Sequence, residues 1–275
     1  MEQHLQTVAE VLQEQNAPNQ ENGTTTSTPS DQRKERQVTE QVADINAIIA
    51  RMQPARKRDC DMSDKRIYAA HSRLVSACAN LLLAKKNRTF VIDDYNRDVL
   101  RFLLYYFNGS PLALSVFPDR PYDLSKNIML IGKAGTGKTL LMDVFAMYLR
   151  ETRNHRAYTV LSQTELLNYY KQHNHIDRYT YNTIDQRAYE GKPFSLCLND
   201  IGLDTQRFYG NDTQQIVDEF LYARNEIWEQ RDKATHITTN LDKDEFRERF
   251  YDEHGRLADR FKMFNVIPLE GESRR

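Results

Sequence analysis

Cysteine is scarce in this sequence, and the few cysteines are dispersed. The 275 residues include three of them, Cys60, Cys78 and Cys197, which form no CxxC pair and leave an odd thiol. This spacing argues against a disulfide framework and against a thiolate zinc site. We therefore expect the protein to reside in a reducing compartment, the cytoplasm.

Long apolar runs and an excess of charge of one sign are also missing. No stretch approaches the roughly 18 apolar residues that can cross a bilayer, and the polar, acidic N-terminus is unlike a secretory signal. Lys and Arg total 38 against 39 Asp and Glu, which gives a net charge of -1. We expect a soluble protein without membrane contact, in which any polyanion binds through a local patch.

Apolar side chains are rare at the beginning of the chain. Gln, Asn, Thr, Ser and Pro predominate from about Gln13 to Gln37. Such a segment buries too little apolar surface to offset its ordering entropy, so residues 1–40 are predicted to be largely disordered. Helical spacing then predicts one short helix over about residues 42–52 and a second that begins near Ser63, so residues 41–90 form a small helical region.

Apolar periodicity changes character after residue 90. A helix predicted at about residues 94–107 leads into alternating strands and helices. The predicted strands are 128–131, 157–161, 194–198, 235–239 and 265–269, and the helices are 140–150, 164–171 and 214–229. Short apolar strands alternating with amphipathic helices predict an α/β fold with a mostly parallel sheet covered on both faces, here over residues 91–275.

A glycine-rich loop follows the first of these strands and opens a helix. It matches G-x-x-x-x-G-K-[ST] without a gap, and the predicted nucleotide-binding residues are Gly132, Lys133, Ala134, Gly135, Thr136, Gly137, Lys138, Thr139 and Leu140. The glycines allow backbone N–H groups to surround a phosphate at the positive end of the helix dipole. Lys138 is expected to reach the β- and γ-phosphates of ATP, and the Thr139 hydroxyl to ligate Mg²⁺.

The apolar strand 194–198 runs into two polar residues, Asn199 and Asp200. A P-loop protein needs an acid at this position to hold the metal, and hydrolytic members usually have two adjacent carboxylates there. Asn199 at the metal position would lack the negative charge, and Asp200 at the water-activating position is a methylene shorter than Glu. Both residues are candidates for the metal site, and we expect slow hydrolysis.

Polar residues that could act on the γ-phosphate follow later in the chain. Asn240 comes directly after the strand 235–239, at the sheet edge expected to hold the P-loop, where it could orient the attacking water. Arg256 and Arg260 are spaced i to i+4 on one predicted helical face. Arg260 is the candidate for a guanidinium supplied to a neighbouring subunit, and surface salt bridging is the alternative.

With these motifs in place, residues from about 90 to 270 resemble the DnaC/IstB family of AAA+ ATPases, which includes replicative helicase loaders and transposition helper ATPases. The resemblance lies in the P-loop, in Asn199-Asp200-Ile201-Gly202, in Thr238-Thr239-Asn240 and in the segment from Arg256 to Arg260. It implies a AAA+ P-loop NTPase of the ASCE type, with ATP and Mg²⁺ as cofactors. An arginine finger would be Arg260, with a further arginine at Arg256.

The resemblance also implies partners. They are a replicative helicase gripped by the N-terminal helical region, single-stranded DNA, and other copies of the chain through AAA+ interfaces. An aromatic and basic run from Tyr169 to Tyr181 could stack on single-stranded DNA, although core or surface tyrosines explain it equally well. Two alternatives remain open: an IstB-like transposition helper, and a non-hydrolysing adaptor switched by ATP.

Overall fold

The computed structural model describes residues 60–84, 86–183, 191–202, 207–208, 211–250 and 261–274. All of them belong to one compact unit, Lys57–Arg275. The segment 1–40 predicted to be disordered, the helix predicted at 42–52, and both candidate arginines, Arg256 and Arg260, lie outside the described residues.

Five parallel strands form the main sheet, in the order β2-β3-β6-β1-β7. Their bounds are β1 Asn127–Ile131, β2 Thr159–Ser162, β3 Leu196–Ile201, β6 Thr235–Thr239 and β7 Phe264–Pro268. Two further strands, β4 Arg207–Phe208 and β5 Asn211–Asp212, form a short antiparallel pair that the sequence did not predict. The predicted parallel α/β sheet is confirmed, and the five core strands match the predicted ones within about three residues.

Six helices are described, and three short 3-10 turns. The helices are α1 Lys65–Ala84, α2 Arg97–Phe107, α3 Lys138–Glu151, α4 Gln163–His173, α5 Thr213–Arg231 and α6 Lys243–Arg249. The turns are Pro111–Ser115, Asp177–Tyr179 and Phe261–Met263. Among these described helices, none combines the length and the apolar character that crossing a membrane requires.

The sheet has an apolar layer on each face, because side chains alternate along each buried strand. Ile128 and Leu130 of β1 pack in a cluster with α1, α2 and α3, whereas Met129 and Ile131 pack in a second cluster with α4, α5 and α6. The alternation explains why β1 is apolar at successive positions: both of its faces are covered.

Helix α1 packs onto the first of these layers. Val75, Cys78 and Ala79 on its apolar stripe are buried in the same cluster as Phe145 and Tyr148 of α3. The side chain of His71 also reaches this helix, with its Nδ1 2.6 Å from the Tyr148 hydroxyl. The second predicted helix therefore finds its packing partner in the helix that the P-loop opens.

Candidate nucleotide-binding site

The P-loop lies between β1 and α3, and its glycines adopt backbone conformations that other residues disfavour. Gly135 has φ +88° and Gly137 has φ +101°, both in the left-handed region. Gly137 is the N-cap of α3, so the first amides of that helix remain available to an anion. Thr136 closes the loop, since its hydroxyl donates to the carbonyl of Lys133 at 3.0 Å.

Lys138 is buried at the start of α3, with 3% of its surface exposed. Its Nζ donates to the carbonyl oxygens of Gly132 at 2.6 Å and Lys133 at 2.8 Å, and to Oδ1 of Asn240 at 2.8 Å. A buried ammonium requires such acceptors. The lysine is thereby held against its own loop, and Asn240, predicted to face the γ-phosphate, lies directly beside it.

The end of β3 brings Asp200 to Thr139. Oδ1 of Asp200 lies 3.4 Å from the Thr139 hydroxyl. The pairing of β3 with β6 shifts register between Leu198 and Ile201, and Asp200 has φ +58° within this bulge. A bulge of this kind re-aims a side chain next to a site.

Asn199 points elsewhere. It is 3% exposed, and its Oδ1 accepts from the Thr238 hydroxyl at 3.1 Å and from the Cys197 thiol at 3.5 Å. The same Thr238 hydroxyl accepts from the backbone N–H of Asp200 at 2.9 Å. Thr238 thus holds both residues of the bulge. Of the two candidate metal-site residues, the structure brings Asp200 to Thr139, whereas Asn199 faces the interior of the sheet.

A cavity of about 540 Å³ opens above the P-loop. Gly135 to Leu141, Asp200 and Asn240 line it. The lining also includes residues that the sequence did not single out: Lys86, Arg88, Val91, Asp93 and Arg274. Ala134 is exposed in the loop, and Leu140 lines the cavity.

Asp143 also lines this cavity, one helical turn after Thr139. Burial raises its pKa to about 6, and the nearby carboxylate of Asp200 acts in the same direction. The i to i+4 spacing from Thr139 was the signal in the sequence that could have identified it.

The residues present fit a nucleotide triphosphate with Mg²⁺. Two left-handed glycines, a buried lysine and the amino terminus of α3 suit phosphate oxygens. The Thr139 hydroxyl and the Asp200 carboxylate offer hard oxygen ligands side by side. Mg²⁺ commonly takes one or two protein oxygens and completes its shell with phosphate oxygens and water.

The opposite, amino-terminal edge of the sheet also contains buried polar groups. The backbone N–H of Ile128 donates to Nδ1 of His236 at 3.0 Å, and that of Thr235 donates to Oδ1 of Asn127 at 3.0 Å. Arg224, 1% exposed, donates from Nε to the Thr235 hydroxyl at 2.7 Å and from Nη2 to the carbonyls of residues 194 and 234, each at 3.0 Å. These bonds all lie within the protein, and Nδ2 of Asn127 is buried without a partner among the described residues.

Strand order β2-β3-β6-β1-β7, a P-loop after β1 and an acid at the end of β3 together define the AAA+ type of P-loop nucleotide-binding fold. The fold class predicted from the sequence is therefore confirmed.

Comparison with known proteins gives similar structures but no related sequences. No family model matches the chain, and no curated protein matches it. A crystal structure of DnaI is 18% identical, with a TM-score of 0.46, over 69% of this chain and 89% of that one. The DnaC helicase loader is 15% identical, with a TM-score of 0.39, over 66% and 93%. AMPPCP-bound DnaA from Aquifex aeolicus is 16% identical, with a TM-score of 0.41, over 66% and 48%.

These likenesses concern the fold alone. The AAA+ fold stands on the strand order and the P-loop of this chain.

Proposed function

We propose that this chain is an ATP-binding AAA+ protein of the replicative helicase-loader kind, which assembles on helicase and single-stranded DNA in an ATP-dependent manner. The observation that carries the nucleotide part is the arrangement of Lys138, Thr139 and Asp200 around one cavity. The family resemblance of the motifs supports the helicase-loader part.

In this proposal each residue at the carboxyl edge has one task. The P-loop amides and Lys138 bind the β- and γ-phosphates, and Asn240 keeps the lysine in position and orients the attacking water. Thr139 and Asp200 hold Mg²⁺, which neutralises charge on the phosphates when bound. Arg260, outside the described residues, remains the candidate finger toward a neighbouring copy.

Hydrolysis is slow in this proposal because one carboxylate, that of Asp200, would have to both hold the metal and activate the attacking water. Asp200 faces Thr139, and the next residue in the chain is Ile201, so no second acid follows it. If Asp200 holds the metal, water activation lacks the usual adjacent carboxylate. ATP binding is then the main event, and turnover serves to reset it.

Paired substitutions at residues 199 and 200 test the assignment of the metal residue. Asp200→Asn is expected to remove most of the Mg²⁺-dependent gain in ATP affinity, measured by calorimetry with and without Mg²⁺. Asn199→Asp is the matched control: it adds a carboxylate beside Cys197 and Thr238, so it should leave that gain unchanged. A robust steady-state ATPase rate that Asp200→Asn does not alter would refute the role of Asp200.

A non-hydrolysing adaptor is the second candidate, and the single carboxylate at the end of β3 favours it. Such a protein uses ATP as a structural ligand that switches partner binding. Turnover and oligomer size, measured with and without single-stranded DNA, separate the two. ATP-dependent assembly with DNA-stimulated turnover supports the loader, whereas assembly without turnover supports the adaptor.

Partner identity needs a separate test. The full-length chain with ATP and Mg²⁺ is expected to retain a purified replicative helicase on a column, and Lys138→Ala is expected to reduce this retention. If a transposase is retained in place of helicase, the IstB-like alternative gains support.

A further inference from the structure

Residues 271–274, which we call the strap, lie across the P-loop. The backbone N–H of Arg274 donates to the carbonyl of Gly135 at 2.9 Å. Gly135 also gives the strap room, because a Cβ at that position would lie 2.3 Å from Oγ of Ser273. A Cβ on Gly137 would lie 3.7 Å from Cδ of Arg274. Two glycines of the P-loop are thus in contact with, or next to, the strap.

The other side of the strap is fastened to the segment before α2. Nη2 of Arg274 contacts both carboxylate oxygens of Asp93, at 2.8 and 2.9 Å. Arg88 donates to the carbonyl of Arg274, and Gly271, with φ +116°, packs against the ring of Tyr95. The strap therefore joins the P-loop to the segment that precedes α2.

Asp93 is a fixed anchor for this bridge. Its Oδ1 accepts from the backbone N–H groups of Tyr95 and Asn96, at 3.0 and 3.1 Å, just before α2 begins. The hydrogen bond from Arg274 is the largest influence that lowers the pKa of Asp93, so the carboxylate is charged at neutral pH. The bonds from Tyr95 and Asn96 join Asp93 to the start of α2, whose apolar face is packed in the core.

Arg274 lines the same cavity as Lys138, Thr139 and Asp200. Its Nε is buried and has no hydrogen-bond partner within the described residues. Lys86 and Arg88 line this cavity of about 540 Å³ as well, so its four cations outnumber its three carboxylates, Asp93, Asp143 and Asp200. A cavity with an excess of cations suits a polyanionic ligand.

We propose that the strap retains the bound nucleotide: Arg274, anchored by Asp93, contacts the nucleotide beside the P-loop and slows its release. This role rests on the proposed nucleotide site and adds a residue from the far end of the domain to it. Release of the nucleotide requires the strap to separate from Gly135. The strength of the Asp93–Arg274 ion pair therefore sets the rate of nucleotide release.

The test is the dissociation of a fluorescent ATP analogue from the full chain with Mg²⁺, followed by stopped-flow displacement with excess ATP. Arg274→Ala is expected to speed dissociation by about tenfold, as for the loss of one charge-assisted hydrogen bond. Asp93→Asn keeps an oxygen for the Tyr95 and Asn96 amides but loses the charge, and should act in the same direction. The double variant should be no faster than Arg274→Ala.

Arg97→Ala is the matched control, because Arg97 also pairs with an aspartate, Asp94, but lies outside the cavity lining. It should release the analogue at the wild-type rate. If Arg274→Ala releases the analogue at the wild-type rate, or binds it more tightly because association is faster, the proposed role of the strap is refuted. The nucleotide site itself is not affected by that result. Failure of the wild type to bind the analogue would overturn the nucleotide site and the strap with it.

Discussion

The two edges of the main sheet both contain buried polar side chains, yet they differ in whether those groups line a cavity. At the amino-terminal edge, His236, Asn127 and Arg224 bond to backbone and side-chain groups of the protein. At the carboxyl edge, Lys138 also bonds within the protein, but it lines an open cavity together with Asp200.

The comparison shows that burial of a polar residue does not by itself mark a binding site. Buried polar groups are generally hydrogen-bonded wherever they occur, and the amino-terminal edge meets most of that need within the protein; Nδ2 of Asn127 is the exception among the groups named above. A binding site appears where polar groups converge on space that a ligand can enter. Substitutions at the carboxyl edge should therefore change ligand affinity, and those at the other edge should change stability.

The largest expected effect is at the carboxyl edge. Lys138→Ala removes the ammonium that we place on the β- and γ-phosphates, so ATP affinity should fall by about 100-fold, equivalent to two charge-assisted hydrogen bonds. Calorimetric titration measures it. Lys192→Ala is the control, because this exposed lysine lies outside the cavity lining. Equal affinities for Lys138→Ala and the wild type would refute the nucleotide site.

Next in size is a change at the amino-terminal edge. Arg224→Met keeps the aliphatic stem but leaves the Thr235 hydroxyl and two carbonyls without their donor. The free energy of unfolding should fall by about 2 kcal/mol, measured by urea denaturation, with ATP affinity unchanged. Arg231→Met, at the exposed end of the same helix, should have little effect on either quantity. A loss of affinity without a loss of stability would contradict the contrast between the edges.

His236 makes the amino-terminal edge sensitive to acid. Burial lowers its pKa to about 3, and the charges of Arg156 and Arg224 act in the same direction. The imidazole is neutral in the folded state but takes up a proton in the unfolded state below about pH 6.5, so its stabilising contribution is lost as pH falls through that range. Between pH 6.5 and 5.0 the loss from this group is about 2 kcal/mol.

The check is urea unfolding of wild type and His236→Asn at pH 7, 6 and 5. The variant starts from a lower stability, because it loses the ring packing against Tyr106, Phe107 and Tyr158. Its stability should nevertheless fall less steeply with acidification. Parallel slopes for the two proteins would show that His236 is not the acid-sensitive group.

The smallest expected effect is at Thr238. This residue is buried in β6, but its hydroxyl holds residues at the carboxyl edge, so its substitution should affect both stability and affinity. Thr238→Val removes the acceptor of the Asp200 amide and leaves Oδ1 of Asn199 with the Cys197 thiol as its remaining donor. We expect a loss of about 1 kcal/mol in stability and a reduction of a few fold in Mg²⁺-dependent ATP affinity. Thr159→Val, at an exposed position on β2, is the control. Unchanged Mg²⁺ dependence would mean that Thr238 does not position Asp200.

The P-loop could be predicted from the sequence because its geometry is local. The left-handed conformations at Gly135 and Gly137, the strand before them and the helix after them all lie within 25 residues, and each has a pattern of its own. The parallel sheet also followed from the alternation of strands and helices, whereas the order of its strands was not predicted.

The end of β3 was less predictable, because it depends on distant partners. The strand was expected to stop at Leu198, yet it continues through a bulge to Ile201. The hydroxyl that holds the bulge belongs to Thr238, 38 residues further along the chain. Likewise, Asp93 and Arg274 are 181 residues apart, and no local pattern joins them. Helix α6 was not among the predicted helices, although it has a local signal. That signal is its capping box, Asp242 with Glu245.

Gly132 has a consequence for how this loop can be studied. A Cβ there would lie 2.2 Å from the carbonyl oxygen of Leu269, whose amide in turn donates to Ile131 at 2.7 Å. The first glycine of the motif is thus required by the passage of the chain after β7, whether or not a phosphate is bound. Replacing Gly132 would misalign the last strand even without a ligand, so Gly132 variants report on assembly of the sheet. Variants of Lys138 are the better test of nucleotide affinity.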